Sequence, residues 1–177
     1  LRQGIRRGLE GLDQIEHEVR PIIEDVRNRG DRAIRDYTER FDGAESVPSS
    51  VEVTPCEIRR AYAVIDDSVT SALRKAAESI RRFHERQVQQ SWTCILGDGA
   101  QMGQVIRPLE RVGLYVPGGT AAYPSSVLMG AIPARVAGVR QVIACTPPGP
   151  CGVANPYVLA AADIAGVDRV FKVGGCQ

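Results

Sequence analysis

The chain has 177 residues, of which 44% are hydrophobic and 24% charged, and its formal net charge is +1. This length is enough for one ample domain, or for one domain with a helical extension. The 22 basic and 21 acidic residues give no support for a nucleic-acid-binding surface or for attraction to anionic lipids. No apolar run approaches the ~18 to 20 residues that a membrane-spanning helix needs, so we expect no nucleic-acid and no membrane partner.

Five cysteines are spread along the chain without a C-x-x-C spacing. An odd number without a disulfide-framework spacing predicts a reducing, cytoplasmic setting in which all five are structural thiols. The first residues lack the apolar core of a signal peptide, and the chain does not begin with methionine, so a processed or partial chain is expected.

The beginning of the chain predicts one amphipathic helix. Residues 1–12 are rich in glycine and arginine, and we expect them to be poorly ordered by themselves. Asp13 and Glu16 resemble a capping pair, so a helix is predicted from there to about Asn28, with Gly30 as its stop. Its apolar stripe comprises Ile15, Val19, Ile22, Ile23 and Val26.

Three more helices are predicted before residue 90. Asp31 is the expected cap of a helix that ends at the turn signal Asp42-Gly43. After a short strand at 51–53, the run Thr54-Pro55-Cys56-Glu57 is a strong helix start, with threonine as N-cap and glutamate three residues later. A long helix follows over residues 66–89, with a mixed-charge face that we expect to be solvated. Its apolar positions are Val69, Leu73, Ala76, Ala77, Ile80 and Phe83.

The pattern changes at Trp92. Residues 92–96 and 102–107 predict a β-hairpin around Gly97-Asp98-Gly99. Beyond the hairpin, strands alternate with helices. We therefore divide the chain into an N-terminal helical region, 1–91, and a Rossmann-like α/β region, 92–177, that is truncated at its C-terminal end.

The second region predicts a parallel sheet. Its strands and helices are expected at 112–116, 125–137, 141–145, 156–165 and 169–173. Alternation of this kind implies right-handed crossovers, and the apolar strands suit a sheet that is covered on both faces. Ser125 and Ser126 are the predicted caps of the first crossover helix.

Three loops leave the carboxyl ends of these strands, at 117–124, at 146–155 and from 174 onward. Ligands of parallel sheets collect at such ends, so the loops are candidates for one binding crevice. The other interpretation is that their glycines and prolines simply terminate strands. The first loop is neither G-x-G-x-x-G nor a Walker A motif, so no nucleotide fingerprint is met.

Several motifs taken together resemble the histidinol dehydrogenase family. In the second region they are V-G-L-Y-V-P-G-G-T at 112–120, S-V-L-M-G-A-I-P-A-R-V-A-G at 126–138, V-L-A-A-A at 158–162, A-G-V at 165–167 and K-V-G-G-C-Q at 172–177. In the first region they are V-R-N-R-G-D at 26–31, Phe41-Asp42 and F-H-E-R-Q at 83–87. Their order and spacing agree with the family from about residue 15 to the last residue.

This resemblance implies an NAD-dependent oxidoreductase that converts L-histidinol through L-histidinaldehyde to L-histidine, the last two steps of histidine biosynthesis. It also implies a zinc-dependent cytoplasmic homodimer, with a Rossmann-like core akin to that of aldehyde dehydrogenases. The family's NAD contacts fall on Tyr115 and Gln177. Gly118 and Gly119 are predicted to let the backbone approach the cofactor.

The catalytic chemistry of the family is expected elsewhere. The family's Glu-His pair and zinc ligands lie downstream of the Gly-Gly-x-Gln motif on which this chain stops, so we predict no catalytic and no metal-binding residue here. The two histidines, His17 and His84, are predicted to be surface residues. We interpret the chain as an N-terminal portion of a histidinol dehydrogenase, inactive alone. The alternative is a complete, non-catalytic nucleotide-binding or assembly module.

Two positions depart from the family pattern. Cys176 stands where alanine is usual, and we expect its side chain to fill a small packing site. Gly130 stands where asparagine is usual, which places a glycine inside a predicted helix at a cost of about 0.5 to 1 kcal/mol relative to alanine.

Overall fold

The computed structural model describes residues 2–43, 47–48, 50–118 and 122–176. Six α-helices and five β-strands are assigned in this part of the chain. In chain order they are α1 (Arg2–Arg29), α2 (Asp31–Asp42), α3 (Pro55–Val64), α4 (Asp67–Glu85), β1 (Trp92–Ile95), β2 (Gln101–Gln104), β3 (Arg111–Tyr115), α5 (Pro124–Val136), β4 (Gln141–Thr146), α6 (Pro156–Ala165) and β5 (Arg169–Lys172). None of these helices is long and apolar enough to cross a membrane.

The centre of the fold is a parallel sheet with the strand order β3-β4-β5. Crossover helix α5 joins β3 to β4, and α6 joins β4 to β5. The predicted α/β class, with a parallel sheet preceded by helices and a hairpin, is confirmed. Because right-handed crossovers between strands in sequential order place their helices on one side, α5 and α6 share one face of the sheet. They pack against each other there.

The main core lies on that face and has three layers. The sheet contributes inward-facing residues such as Val142, Ala144 and Val170. Helices α5 and α6 form the middle layer and supply the fully buried Leu128, Ile132 and Leu159. Helix α4 packs on α5, and α3 packs on α6, as the outer layer. Helix α6 is therefore apolar nearly all round, as expected for a helix that is buried between two layers.

The opposite face of the sheet is much less covered. Ile143 and Cys145 of β4 are only half-buried, and the alternate residues of β3 are exposed. The prediction of a sheet covered on both faces is therefore wrong for the described residues. The physical reason is the sequential strand order, which sends both crossover helices to the same side.

One edge of the sheet is extended by the segment before α3. Glu52 forms an antiparallel bridge with Phe171 of β5. Val53 N donates to the carbonyl of Val170 at 2.9 Å, and Lys172 N donates to that of Val51 at 2.7 Å. The short strand predicted at 51–53 is thus an isolated bridge that covers the edge of β5.

The structure confirms the predicted start of α3 and corrects those of α1, α2 and α5. The Thr54–Glu57 capping box is present, with Thr54 N donating to Glu57 Oε2 at 2.8 Å. Helix α1 begins at Arg2 rather than near Asp13, because the intervening arginines, leucines and glutamate favour helix. Asp31 is already helical and does not cap α2. Neither Ser125 nor Ser126 caps α5, because Pro124 occupies its first turn.

The hairpin is confirmed in type, with shorter strands than predicted. β1 and β2 pair antiparallel from Trp92 opposite Gln104 to Ile95 opposite Gln101. All residues of both strands are exposed. The predicted apolar stripe of α1 is also largely exposed, with Ile15 56% accessible, and Phe83 of α4 is exposed rather than buried. These apolar side chains have no core to enter among the described residues.

Gly130 of α5 gives a first stability prediction. A Cβ atom there would lie 3.1 Å from Cδ2 of Leu114, the far end of a half-buried side chain that can shift. Because alanine is the better helix former, we expect Gly130→Ala to raise the free energy of unfolding by about 0.5 kcal/mol. Urea titration followed by circular dichroism measures this. A lower free energy of unfolding would show that Leu114 cannot move.

Candidate functional site

The carboxyl ends of β3 and β4 lie side by side at one edge of the sheet. Val116 N donates to the carbonyl of Cys145 at 2.8 Å, which continues the pairing past the end of β3. A Cβ atom at Gly118 would lie 3.1 Å from Cδ of Pro147. The loop after β3 therefore rests on the loop after β4, and a side chain at Gly118 would push them apart.

Tyr115 is the last residue of β3 and lies on the less covered face. It pairs in register with Cys145, which in turn pairs with Phe171, so the three form a row across the sheet. Its side chain is 48% exposed. Burial, followed by the negative charge of Asp42, raises the pKa of Tyr115. The backbone of Tyr115 is thus held by the strand pairing, and its side chain is accessible to a ligand.

Of the other predicted cofactor residues, the structure describes only Gly118. Gly118 lies in the described loop, directly after the Val116-Pro117 end of β3. Gly119 and Gln177 lie outside the described residues. The structure therefore places Tyr115 and Gly118 at the same edge, while the positions of Gly119 and Gln177 stay predictions.

The segment after β5 is covered by the C-terminal end of α2. A Cβ atom at Gly174 would lie 2.7 Å from Oδ2 of Asp42. A Cβ atom at Gly175 would lie 3.4 Å from Cδ2 of Phe41. Two consecutive glycines are therefore in close contact with two consecutive residues of α2. Cys176 follows them and is buried, with its Sγ 4.0 Å from the carbonyl of Ile34.

Asp42 was missed as a site residue by the sequence analysis, which interpreted Asp42-Gly43 only as a turn signal. Asp42 is half-buried, and this burial raises the pKa of its carboxyl. Its charge also acts on Tyr115 and Cys176. The available signal was its place in the Phe41-Asp42 motif of the family.

A cavity of about 790 Å³ lies between the less covered sheet face and helices α1 and α2. Its floor includes Cys145, Phe171 and Cys176, and charged side chains such as Arg35 also line it. Burial is the main cause of a raised pKa for both cysteines, which keeps their thiols protonated at neutral pH. The cavity is within the size range of sites for drug-sized ligands.

The described residues do not form a metal centre. Among them, no group of three or more His, Cys, Asp or Glu side chains is arranged to hold a metal ion. His17 is exposed, and Nδ1 of the half-buried His84 lies 2.6 Å from Oε1 of Gln87. All five cysteines are free.

The N-terminus of α5 follows the loop after β3. Its N-cap position is Tyr123, and no described side chain caps the first turn. By contrast, Asn155 caps α6 by accepting from Tyr157 N at 3.0 Å. Amide groups at the start of a helix favour an anionic ligand group, such as a phosphate, next to the end of β3.

Comparisons with known proteins agree on one family. The model of the histidinol dehydrogenase family matches residues 5–177. Histidinol dehydrogenase of Heliobacterium mobile is 52% identical over 160 residues, which cover 90% of this chain and 38% of that protein. The enzyme of that name from Syntrophotalea carbinolica is 49% identical over 173 residues, covering 98% of this chain and 40% of the relative.

A solved structure gives the same result. The crystal structure of histidinol dehydrogenase from Elizabethkingia anophelis matches with a TM-score of 0.86 at 34% identity. The match covers 92% of this chain and 37% of that one. The chain thus spans roughly two fifths of the length of the curated relatives that it matches.

Proposed function

Because this chain belongs to the histidinol dehydrogenase family, we propose that the protein oxidises L-histidinol through L-histidinaldehyde to L-histidine with two molecules of NAD⁺. The observation that carries the proposal is the family match over residues 5–177. These are the last two steps of histidine biosynthesis. We further propose that the protein is a cytoplasmic homodimer.

The chain spans 38% to 41% of its curated relatives, so we assign it one part of the activity. We propose that it is an N-terminal portion, with a helical region at 1–91 and a Rossmann-like region at 92–177. The Glu-His pair that moves protons is assigned to the rest of the protein. In this interpretation the chain alone is inactive.

Three features of the carboxyl edge of the sheet support the proposal of a dinucleotide site there. Tyr115 has a half-exposed side chain at the end of β3. Gly118, which lies close to Pro147, has no side chain that would cover the backbone next to it. The start of α5 presents backbone amides to a phosphate. We propose that Tyr115 packs on the cofactor or forms a hydrogen bond with it, and that Gln177 adds an amide contact. We also propose that Gly118 and Gly119, which have no side chains, let the backbone approach the cofactor closely.

Bound NAD⁺ supplies the hydride acceptor for both oxidations. The part of this chain is to bind and orient it at the carboxyl edge. For zinc, the described residues provide no ligand set. From the resemblance to the family, we propose that the zinc ligands lie in the remainder of the protein, and we derive no step through the metal.

The function is tested on the purified full-length protein with L-histidinol and NAD⁺. We expect NADH formation, measured by absorbance, with two NADH formed per histidine. If the protein binds NAD⁺ but forms no NADH, a non-catalytic nucleotide-binding module becomes the better interpretation. If it neither binds NAD⁺ nor forms NADH, the proposed function is wrong.

Tyr115→Ala should raise the KM for NAD⁺ about tenfold, because the ring and its hydroxyl are lost from the cofactor edge. Steady-state kinetics of the full-length enzyme measures this. Tyr115→Phe separates ring packing from hydrogen bonding. Tyr62→Phe is the control, since Tyr62 bonds Asp163 at 2.7 Å in the helical layers. An unchanged KM in Tyr115→Ala would remove Tyr115 from the site.

A further inference from the structure

We propose that Asp42 is a positioning residue of the cofactor site. Its carboxylate holds the Gly174-Gly175 turn, which follows β5 and precedes Gln177, in place at the same carboxyl edge of the sheet as the end of β3. This inference rests on the proposed function, because Gln177 and Tyr115 matter here only if the edge binds NAD⁺. Asp42 is assigned no contact with the reacting atoms.

The carboxylate of Asp42 lies against the backbone of Gly174. A Cβ atom at Gly174 would lie 2.7 Å from Oδ2 of Asp42 and 3.4 Å from both its Cγ and its Oδ1. Both oxygens of the carboxylate are therefore close to this glycine. The neighbouring contact of Phe41 with Gly175, at 3.4 Å, fixes the same turn at a second point. The end of α2 thus acts as a stop for the turn that follows β5.

The same close approach explains why residues 174 and 175 are glycines. Neither Gly174 nor Gly175 is among the glycines with a positive φ. Their backbone conformation is therefore accessible to alanine, and conformational freedom does not explain them. The close approach of α2 does, because any side chain at Gly174 would overlap the carboxylate of Asp42.

Asp42 occupies a position in α2 where a carboxylate is not favoured by the helix itself. It is the last residue of α2, where the helix dipole disfavours a negative charge. Burial also disfavours the charged form and raises its pKa. The helix position therefore does not explain the carboxylate, which is expected where a residue serves a site rather than the stability of its element.

The negative charge of Asp42 contributes to the raised pKa values of two residues near the proposed site. Asp42 acts on Tyr115 at the end of β3 and on Cys176 after β5. These two residues flank the edge that we assign to NAD⁺. One side chain from α2 therefore lies near both parts of the proposed cofactor contact, Tyr115 of β3 and the turn that precedes Gln177.

The test is NAD⁺ binding by the full-length protein, measured by calorimetry. We expect Asp42→Ala to weaken NAD⁺ binding about tenfold and to raise the KM for NAD⁺ similarly, with kcat changed less than about twofold. Asp36→Ala is the matched control, because Asp36 is an exposed acid of the same helix that pairs with Arg29. It should leave NAD⁺ binding unchanged.

A double-variant experiment separates positioning from general stability. Gly174→Ala should weaken NAD⁺ binding, because its methyl group meets Asp42. In the double variant Asp42→Ala with Gly174→Ala the overlap is gone, so adding Gly174→Ala to Asp42→Ala should cost little. Additive losses from the two substitutions would overturn the proposal. If Asp42→Ala does not fold, Asp42→Ser, whose shorter side chain also removes the overlap, takes its place in the same cycle.

The outcomes keep the two proposals apart. If the unchanged protein fails to bind NAD⁺, the proposed function is wrong, and this inference is lost with it. If the unchanged protein binds NAD⁺ and Asp42→Ala binds it equally well, the positioning role alone is wrong. A loss of binding together with kcat unchanged and non-additive coupling to Gly174 supports both.

Discussion

Replacing Glu57 by alanine is expected to lower the free energy of unfolding by about 3 to 5 kcal/mol. Glu57 pairs with Lys172 of β5, whose Nζ lies 2.7 Å from Glu57 Oε1. The side chain of Lys172 is 3% exposed and that of Glu57 18%. Removing the carboxylate therefore leaves a buried ammonium group without its counter-charge.

Glu57 also completes the capping box of α3. Its Oε2 accepts hydrogen bonds from Thr54 N at 2.8 Å and from Thr54 Oγ1 at 2.9 Å. The substitution therefore loses part of a helix cap as well as an ion pair, and a lost cap costs about 1 kcal/mol by itself. One side chain thus fixes both the start of α3 and the end of β5.

A double-mutant cycle separates the two effects. Lys172→Met should cost less than Glu57→Ala, because the Glu57 carboxylate that it leaves is more exposed than Lys172 and keeps its hydrogen bonds from Thr54. Glu57→Ala combined with Lys172→Met should be more stable than Glu57→Ala alone, because no unpaired ammonium remains. Urea denaturation of the four proteins measures this coupling. If the double variant is the least stable, the ion pair is not the source of the effect.

The same pair predicts how stability depends on pH. Burial opposes ionisation of Glu57, but hydrogen bonds from Lys172 and Thr54 outweigh it, and the pKa of Glu57 lies below its ordinary value of 4.5. A carboxyl with a lowered pKa contributes stability above its unfolded pKa and loses it as pH falls through the folded one. Glu57→Gln should therefore flatten the fall in stability below about pH 4.5.

Local signals in the sequence predicted the elements that local chemistry decides. The capping box at Thr54 was predicted correctly because threonine and glutamate satisfy amide groups within one helical turn. The three parallel strands were predicted from apolar runs that end at proline or glycine. The cap predicted at Ser125 was wrong, because Pro124 has no N–H to lose and takes the first helical turn.

Contacts between distant parts of the chain were not predictable in this way. Asp42 and Gly174 are close in space, yet nothing in either neighbourhood of the sequence indicates the contact. The exposure of Tyr115 likewise depends on which face the crossover helices take. The resemblance to a family indicated Tyr115 as a site residue, whereas the role that we propose for Asp42 required the docked position of α2.

Replacing Arg135 by alanine is expected to lower the free energy of unfolding by about 1.5 to 3 kcal/mol, the range for charged hydrogen bonds. Nε and Nη2 of Arg135 donate to the carbonyl of Gly166 at 2.8 and 2.6 Å. Nη1 donates to the carbonyls of Val139 and Arg140 at 3.1 and 2.9 Å. Nη2 also lies 2.5 Å from Oδ2 of Asp168.

This guanidinium joins three elements at the amino edge of the sheet, opposite the proposed cofactor edge. Gly166 ends α6, Arg140 precedes β4, and Asp168 precedes β5 while accepting from Val142 N at 2.7 Å. Its loss removes the donors of the carbonyls of Gly166 and Arg140, which are exposed, and of Val139, which is part-buried. The effect should therefore appear in stability, while the KM for NAD⁺ of the folded enzyme stays unchanged.

The matched control is Arg140→Ala. Arg140 is on the same edge and pairs with Glu110, but both side chains are 77% exposed, and such pairs contribute little. Arg135→Lys should recover only part of the loss, because a lysine ammonium cannot reproduce the planar fork of donors. Urea denaturation compares the three variants. Equal losses in Arg135→Ala and Arg140→Ala would show that surface charge, rather than the carbonyl contacts, stabilises this edge.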